Sequence, residues 1–157
     1  MKNGDIGMFF VRTGKDNSCV LMMVRSADEG ETWTIPTRCI LEDGYFVVNN
    51  DRVIRLASGR ILFPANYHRV VNGELDKGVF CTFASDDDGI TWHELPTRIE
   101  SPFPHVGATG LQESGLYQFP NGRIWSYSRT DLGMQYECFS DDEGVSWSKI
   151  SPNKLFT

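Results

Sequence analysis

The segment "SDDDGITW" at residues 85–92 has two near copies, "SADEGETW" at 26–33 and "SDDEGVSW" at 140–147. All three obey Ser-x-Asp-x-Gly-x-Thr/Ser-Trp, and together they hold three of the four tryptophans of the chain. Their starts lie 59 and 55 residues apart, a period that belongs to architectures built from one repeated supersecondary unit. Taken alone, three consecutive aspartates beside a glycine suit a calcium loop or an acid cluster. A calcium loop, however, needs a longer run of alternating oxygen ligands and a distal bidentate Glu, which this octet lacks. The repetition favours a tight hairpin in which Ser and Asp side chains bond to nearby backbone N–H groups. Gly30, Gly89 and Gly144 then supply a positive φ, and Trp33, Trp92 and Trp147 pack the outgoing strand into the core. Asp86 and Asp88, at the variable positions, are expected in solvent.

A second element recurs upstream of each octet: "KNGDIGMFF", "ASGRILFPANY" and "PNGRIWSYS". Each is a Gly turn flanked by a hydrophobic or alternating run, the pattern of a β-hairpin. One repeat therefore reads strand, Gly turn, strand, loop, strand, octet, strand. The second copy gives "RVIRL", "ILFPANYH", "KGVFCTFA" and "HELPTRI"; the third gives "GLYQF", "IWSYSR", "MQYECF" and "SKI". No long stretch keeps apolar residues at helical spacing. The expectation is an all-β chain of about three four-stranded units, at 1–40 (incomplete), 45–100 and 110–152. The first unit lacks its opening strand, since the sequence begins almost on its Gly turn.

Composition narrows the function classes. At 157 residues, 40% hydrophobic and 23% charged, the chain can bury a core as one domain. Its formal net charge is −6, and no Lys/Arg cluster offers phosphates a basic stripe, which argues against nucleic acid as a partner. The apolar runs "MFFV" and "VLMMV" are too short to span a bilayer as helices, and "MKNGDIG" holds no signal-peptide core. Four cysteines, at 19, 39, 81 and 138, form no CxxC pair. Cys19, Cys81 and Cys138 each sit in an apolar run before an octet, the setting of a buried core thiol. Nothing in the sequence requires a metal or a cofactor.

The octets resemble the Asp-box, or bacterial neuraminidase repeat, of the sialidase superfamily, and the resemblance covers essentially the whole chain. It implies a six-bladed β-propeller of which about three blades are present, with the Asp-boxes away from the active face. An open ring leaves unpaired edges; a homodimer pooling three blades per chain, or a longer polypeptide, would cover them. It further implies an exo-acting glycoside hydrolase with a carbohydrate substrate, retaining in its stereochemistry, and a secreted or periplasmic full-length form. Sialidases often show a Glu before an inner strand, then a Gly turn, then Ser-Arg at the end of the next strand. Glu113, Gly122 and Arg129 fit that order, which implies Glu113 as the base that activates a tyrosine nucleophile. At the start of the third strand, where an arginine of the carboxylate-binding triad is expected, stand Met134 and Gln135. Glutamine cannot supply that charge, which argues for a glycan other than sialic acid.

If the boxes mark one face, chemistry belongs at the opposite loops and the inner-strand ends. "VVNNDRVIRL" (47–56) carries Asn50, Asp51 and Arg52 between apolar runs, and "GLQESGLYQF" (110–119) carries Gln112 and Glu113 at the same place in the next repeat. A carboxylate pair with nearby guanidinium groups is what a glycosidase or an acidic-sugar binder needs. Asp51 and Glu113 are thus the candidate catalytic carboxylates, with Arg52 and Arg129 to hold the sugar. The plain alternative for Asp51 and Arg52 is a local turn and ion pair. His68, Gln135, Tyr136 and Arg12 are further candidate sugar contacts. Each has a structural alternative: a satisfied polar histidine, a core tyrosine, a strand-end surface charge. Tyr67 and Tyr127 are open between sugar stacking, nucleophile and core, and His105 lies in a connection that could cover the site. A non-catalytic glycan-binding or structural propeller module remains the competing function.

Overall fold

The computed structural model describes residues 1–14, 18–102 and 109–155. The described residues are strands and connections, with no helix among them. In order they are β1 (Ile6–Thr13), β2 (Cys19–Ser26), β3 (Thr37–Arg38), β4 (Tyr45–Val47), β5 (Ile54–Arg55), β6 (Ile61–His68), β7 (Val70–Val71) and β8 (Glu74–Leu75). There follow β9 (Val79–Ser85), β10 (His93–Glu94), β11 (Gln112–Gln118), β12 (Ile124–Arg129), β13 (Tyr136–Ser140) and β14 (Ser151–Pro152).

Three antiparallel blades result. The first is β1–β2–β3; the second is β4 and β5 on β6, then β9 and β10; the third is β11–β12–β13–β14. The register repeats: Ile6, Ile61 and Ile124 each oppose the serine that opens a box, Ser26, Ser85 and Ser140. Neighbouring blades touch at one parallel bridge each, Cys19 with Tyr45 and Gly78 with Gly110. The sheets do not close on themselves, so the chain is an open, partial propeller.

The core lies between blades rather than within any one of them. One cluster joins Val20, Leu21 and Met23 of the first blade to Phe63, Phe83 and Trp92 of the second. The other joins Leu62 and Phe80 of the second to Leu116, Ile124 and Cys138 of the third. Strand β6 is therefore covered on both faces and reads as a nearly continuous apolar run, whereas β12 alternates buried and half-exposed. All four cysteines are buried free thiols, and desolvation pushes Cys39 and Cys138 up to about 12. Such thiols pack and do not react.

Each box is a hydrogen-bonded clasp. In the second, the Ser85 hydroxyl donates to Asp87 at 2.8 Å and accepts from the Gly89 N–H at 2.7 Å; Asp87 accepts from the Thr91 N–H and hydroxyl at 2.8 and 2.6 Å. The pattern recurs through Asp28 and Asp142. Bonds donated by Thr32 and Thr91 hold Asp28 and Asp87 down to about 2, from an ordinary 3.8. A depressed folded-state value means that the contribution is complete above about pH 4 and is lost as the pH falls toward 2. The urea midpoint should accordingly stay flat from pH 7 to about pH 5 and drop below pH 4. Asp87→Asn should blunt that drop; an unchanged acid limb would refute the clasp as its origin.

Three expectations need correction. Asp88 is not solvated: its carboxylate, largely shielded, accepts from Arg25 at 2.8 Å, Arg55 at 2.6 Å and the Lys2 N–H at 3.1 Å. Asp86 is exposed, as expected, with Arg60 beside it at 2.7 Å. Trp33 is 40% exposed while Trp92 is 4% exposed. A box tryptophan packs on the preceding blade, Trp92 on Phe9 and Trp147 on Phe80, and Trp33 meets no such ring among the described residues. The inner strand of the second blade also differs from "RVIRL": it is split into β4 and β5 by residues 48–53. Pro64 lies opposite the split, between the partners of Val47 and Ile54; lacking an N–H, it tolerates a missing ladder partner there.

Candidate functional site

Both inner strands are bulged at the expected place. In the second blade, residues 48–53 leave the ladder between Val47 and Ile54; in the third, the register slips between Gln112 and Gly115. Each bulge carries one carboxylate residue in the left-handed region, Asp51 at φ 55° and Glu113 at φ 51°. Such strain costs about 1–3 kcal/mol per residue and concentrates at functional sites.

Glu113 forms an ion pair with Arg129 across the β11–β12 ladder, Oε2 to Nε at 3.1 Å, with both side chains about half-exposed. Arg52 crosses from the second blade to the third, where its Nη1 donates to the Tyr127 hydroxyl at 3.2 Å and its Cζ lies 5.7 Å from that ring's centroid. Its Nε is buried with no acceptor among the described residues. Asp51 and Asn50 are exposed, and Asp51 forms no ion pair among the described residues. The local-pair reading of Asp51 with Arg52 therefore fails, because Arg52 turns to Tyr127.

Gly115 makes that crossing possible. A Cβ there would lie 2.3 Å from the Tyr127 Cζ and 2.4 Å from its hydroxyl, so the phenol sits in a notch that only glycine leaves open. The Gly115 backbone is ordinary, so an alanine would be penalised by the clash alone. Gly115→Ala should destabilise the chain by about 1–3 kcal/mol, and a Tyr127→Ala background should remove most of that penalty. Equal penalties in both backgrounds would show that the notch is not what selects glycine.

A buried network that sequence reasoning missed anchors the Glu113 bulge. Asn66 of the second blade donates to the Ser114 hydroxyl at 2.9 Å and accepts from the Ser114 N–H at 3.0 Å; Ser114 and Ser128 share a hydrogen bond of 2.7 Å. The alternation of serine with aromatic residues in "IWSYSR" was the available signal, since β12 turns Ser126 and Ser128 inward.

Other candidates lie elsewhere. His68 and Gln112 are 7% and 8% exposed, and their polar atoms are spent on each other at 3.0 Å. His68 also contacts the Asp76 carbonyl and Gln112 the Thr109 carbonyl, both at 2.7 Å. They are internal ties beside Glu113, not open sugar contacts. Tyr136 is in the second core cluster. Gln135 is half-buried, with its backbone carbonyl taken by the Asn153 N–H at 2.7 Å. Arg12 is exposed near the end of β1, and Tyr67 packs on Phe46. His105 lies outside the described residues. A groove of about 550 Å³ runs between β1 and residues 48–55, with Asn50, Asp51 and Arg52 on one wall. Glu113 and Arg129 do not line it.

Asp-box hairpins, blades of one repeated register and a polar cluster on bulged inner strands define a propeller of the sialidase superfamily. Within that class the chain belongs to the BNR repeat-like domain family, whose profile matches residues 1–156. Sialidase-4 of Homo sapiens is 29% identical over 155 residues, which cover 87% of this chain and 30% of that protein. Sialidase-4 of Mus musculus is 29% identical over 152 residues with the same coverage. Among solved structures, the intramolecular trans-sialidase from Ruminococcus gnavus superposes with a TM-score of 0.64 at 25% identity, over 88% of this chain and 27% of that one. A Hadza microbial sialidase gives a TM-score of 0.68 at 20% identity, over 94% and 31%. The chain thus spans about 30% of the length of the curated relatives it matches.

Proposed function

We propose that this chain supplies part of the active face of a glycoside hydrolase of the sialidase type. What carries the reading is the pair of bulged inner strands, each with a left-handed carboxylate residue, Asp51 and Glu113, with Arg52 next to the first in the chain and Arg129 paired with the second. Glu113 serves as the base that draws a proton from a tyrosine nucleophile, as the family resemblance implies. Arg129 orients Glu113 and holds an anionic or hydroxyl group of the sugar. Asp51 is the second working carboxylate, and the Arg52 guanidinium, held on the Tyr127 hydroxyl, supplies positive charge beside it. Asn50 adds a hydroxyl contact. His68 and Gln112 set the position of Glu113 from behind.

Gln135 stands where a third arginine would grip a carboxylate, so the substrate is a glycan whose recognition does not depend on a full arginine triad. The same substitution favours a second reading, a glycan-binding blade set without turnover. Initial rates on an aryl sialoside and on a panel of neutral and uronic aryl glycosides separate the two, with calorimetric glycan binding run in parallel. Turnover of any member supports the hydrolase; binding without turnover supports the second reading; neither result would refute a glycan site altogether.

A further inference from the structure

Both chain neighbours of Glu113 are tied to one strand of the blade before it. Asn66 donates to the Ser114 hydroxyl at 2.9 Å and accepts the Ser114 N–H at 3.0 Å, and His68 meets Gln112 at 3.0 Å. Asn66 and His68 stand two apart on β6, so their side chains leave the same face of that strand. These ties are buried, whereas the Glu113 side chain between them is half-exposed. The left-handed backbone of Glu113, φ 51°, is therefore held from both sides, and such a conformation persists only where its surroundings over-determine it.

Backbone carbonyls fix the hydrogens of the His68 tie, because a carbonyl oxygen only accepts. The Asp76 carbonyl lies 2.7 Å from His68 Nδ1, so Nδ1 carries the hydrogen. The Thr109 carbonyl, which also takes the Gly78 N–H at 2.9 Å, lies 2.7 Å from Gln112 Nε2, so the amide presents its nitrogen on this side. The same nitrogen faces His68 Nε2, which is then the bare, accepting nitrogen of a neutral ring. A proton on Nε2 would set donor against donor. Turning the amide over to meet it would set Gln112 Oε1 against the Thr109 carbonyl, oxygen against oxygen. Gly78 crowds any other arrangement, since a Cβ there would lie 3.0 Å from Gln112 Nε2 and 3.2 Å from His68 Cε1. Around the ring, Tyr45 of β4 meets it edge-on at 5.8 Å. The Asp76 carboxylate is turned to the Lys77 N–H at 2.8 Å, and Arg69 is shared between Asp76 and Glu100 at 3.7 and 3.2 Å. Beyond Gln112, Glu113 is paired with Arg129. No carboxylate bonds to the ring among the described residues.

We infer that His68 is a positioning residue for Glu113 and acts only as the neutral ring with its hydrogen on Nδ1. Acid then releases Gln112 and, with it, the backbone that presents the Glu113 carboxylate. The inference rests on the proposed role of Glu113 as a base. It gives the site an acid limb separate from protonation of Glu113 itself.

Nitrogen NMR of the whole chain, labelled at histidine, reads the tautomer directly. The chain has three histidines, and the His68→Asn spectrum assigns the ring. Near neutral pH the ring should be neutral with its hydrogen on Nδ1. On acidification the Glu113 amide shift should move with protonation of His68 in the wild type, and should cease to do so in Gln112→Leu. His68→Asn can still donate to the Asp76 carbonyl but falls short of Gln112, whereas His68→Gln offers Gln112 an acceptor that does not protonate. On an aryl glycoside that the wild type turns over, His68→Asn should lower kcat roughly tenfold or more with KM little changed. His68→Gln should recover most of that loss and shed the part of the acid limb that follows His68. A purely structural role would affect both variants alike. A ring that is charged or protonated on Nε2 near neutral pH, a Glu113 amide indifferent to His68, or equal kcat in the two variants would overturn the inference. A chain inert on every glycoside removes the hydrolase reading, and the NMR titration still decides whether His68 governs the Glu113 backbone.

Discussion

Trp92→Ala should cost about 3–5 kcal/mol of folding free energy, the range for truncating a buried aromatic side chain, whereas Trp33→Ala should cost less than about 1 kcal/mol. The two residues hold the same place in the same motif, so local propensity cannot separate them. What differs is the blade in front. Trp92 is enclosed by Phe9 of the first blade and Phe63 of its own, and its ring N–H donates to the Gly89 carbonyl at 3.2 Å. Removing it empties the junction that holds the first two blades together. Trp33 is 40% exposed and meets no aromatic ring among the described residues. Trp147, half-buried on Phe80 with its N–H on the Gly144 carbonyl at 3.0 Å, should fall between. Urea unfolding of the wild type and the three variants gives the comparison. Equal costs at all three sites would mean that each tryptophan stabilises only its own hairpin.

That contrast marks what the sequence could reveal. The boxes are local: a serine, an aspartate and a glycine within five residues make their hydrogen bonds to one another, so the octets disclosed the hairpins, the register and the blade count. Partners across a junction are not local. Nothing within "SDDDGITW" says that Asp88 will meet Arg25 and Arg55, because those residues lie 63 and 33 positions upstream. The bulges at Asp51 and Glu113 were legible only as polar breaks in apolar runs. Pro64 in the facing strand was an overlooked sign of where the ladder would part. Asn72-Gly73 likewise announced the small β7–β8 hairpin, with φ 54° and 83°, in a stretch read as loop. His68 and Gln112 looked like site residues because polarity in a strand suggests exposure. Their burial is affordable only because each satisfies the other.

Glu113→Gln should lower kcat by about 10²–10⁴-fold on any aryl glycoside that the wild type turns over, the usual worth of a positioned general base. The substitution keeps the shape and a hydrogen bond to Arg129 while removing the charge that draws a proton. The bulge should survive it, because Ser114, not Glu113, is tied to Asn66 and Ser128. Unfolding midpoints close to the wild type would then place the loss in chemistry. Arg129→Lys divides the effect further. Lysine retains the positive charge but not the planar fork, so a group that grips substrate should raise KM, and one that only orients Glu113 should lower kcat with KM unchanged. Asp51 differs in having no ion pair to lose among the described residues, and Asp51→Asn should reduce kcat with little effect on stability. A wild-type rate in Glu113→Gln would remove Glu113 from the mechanism and leave its left-handed backbone without a catalytic reason.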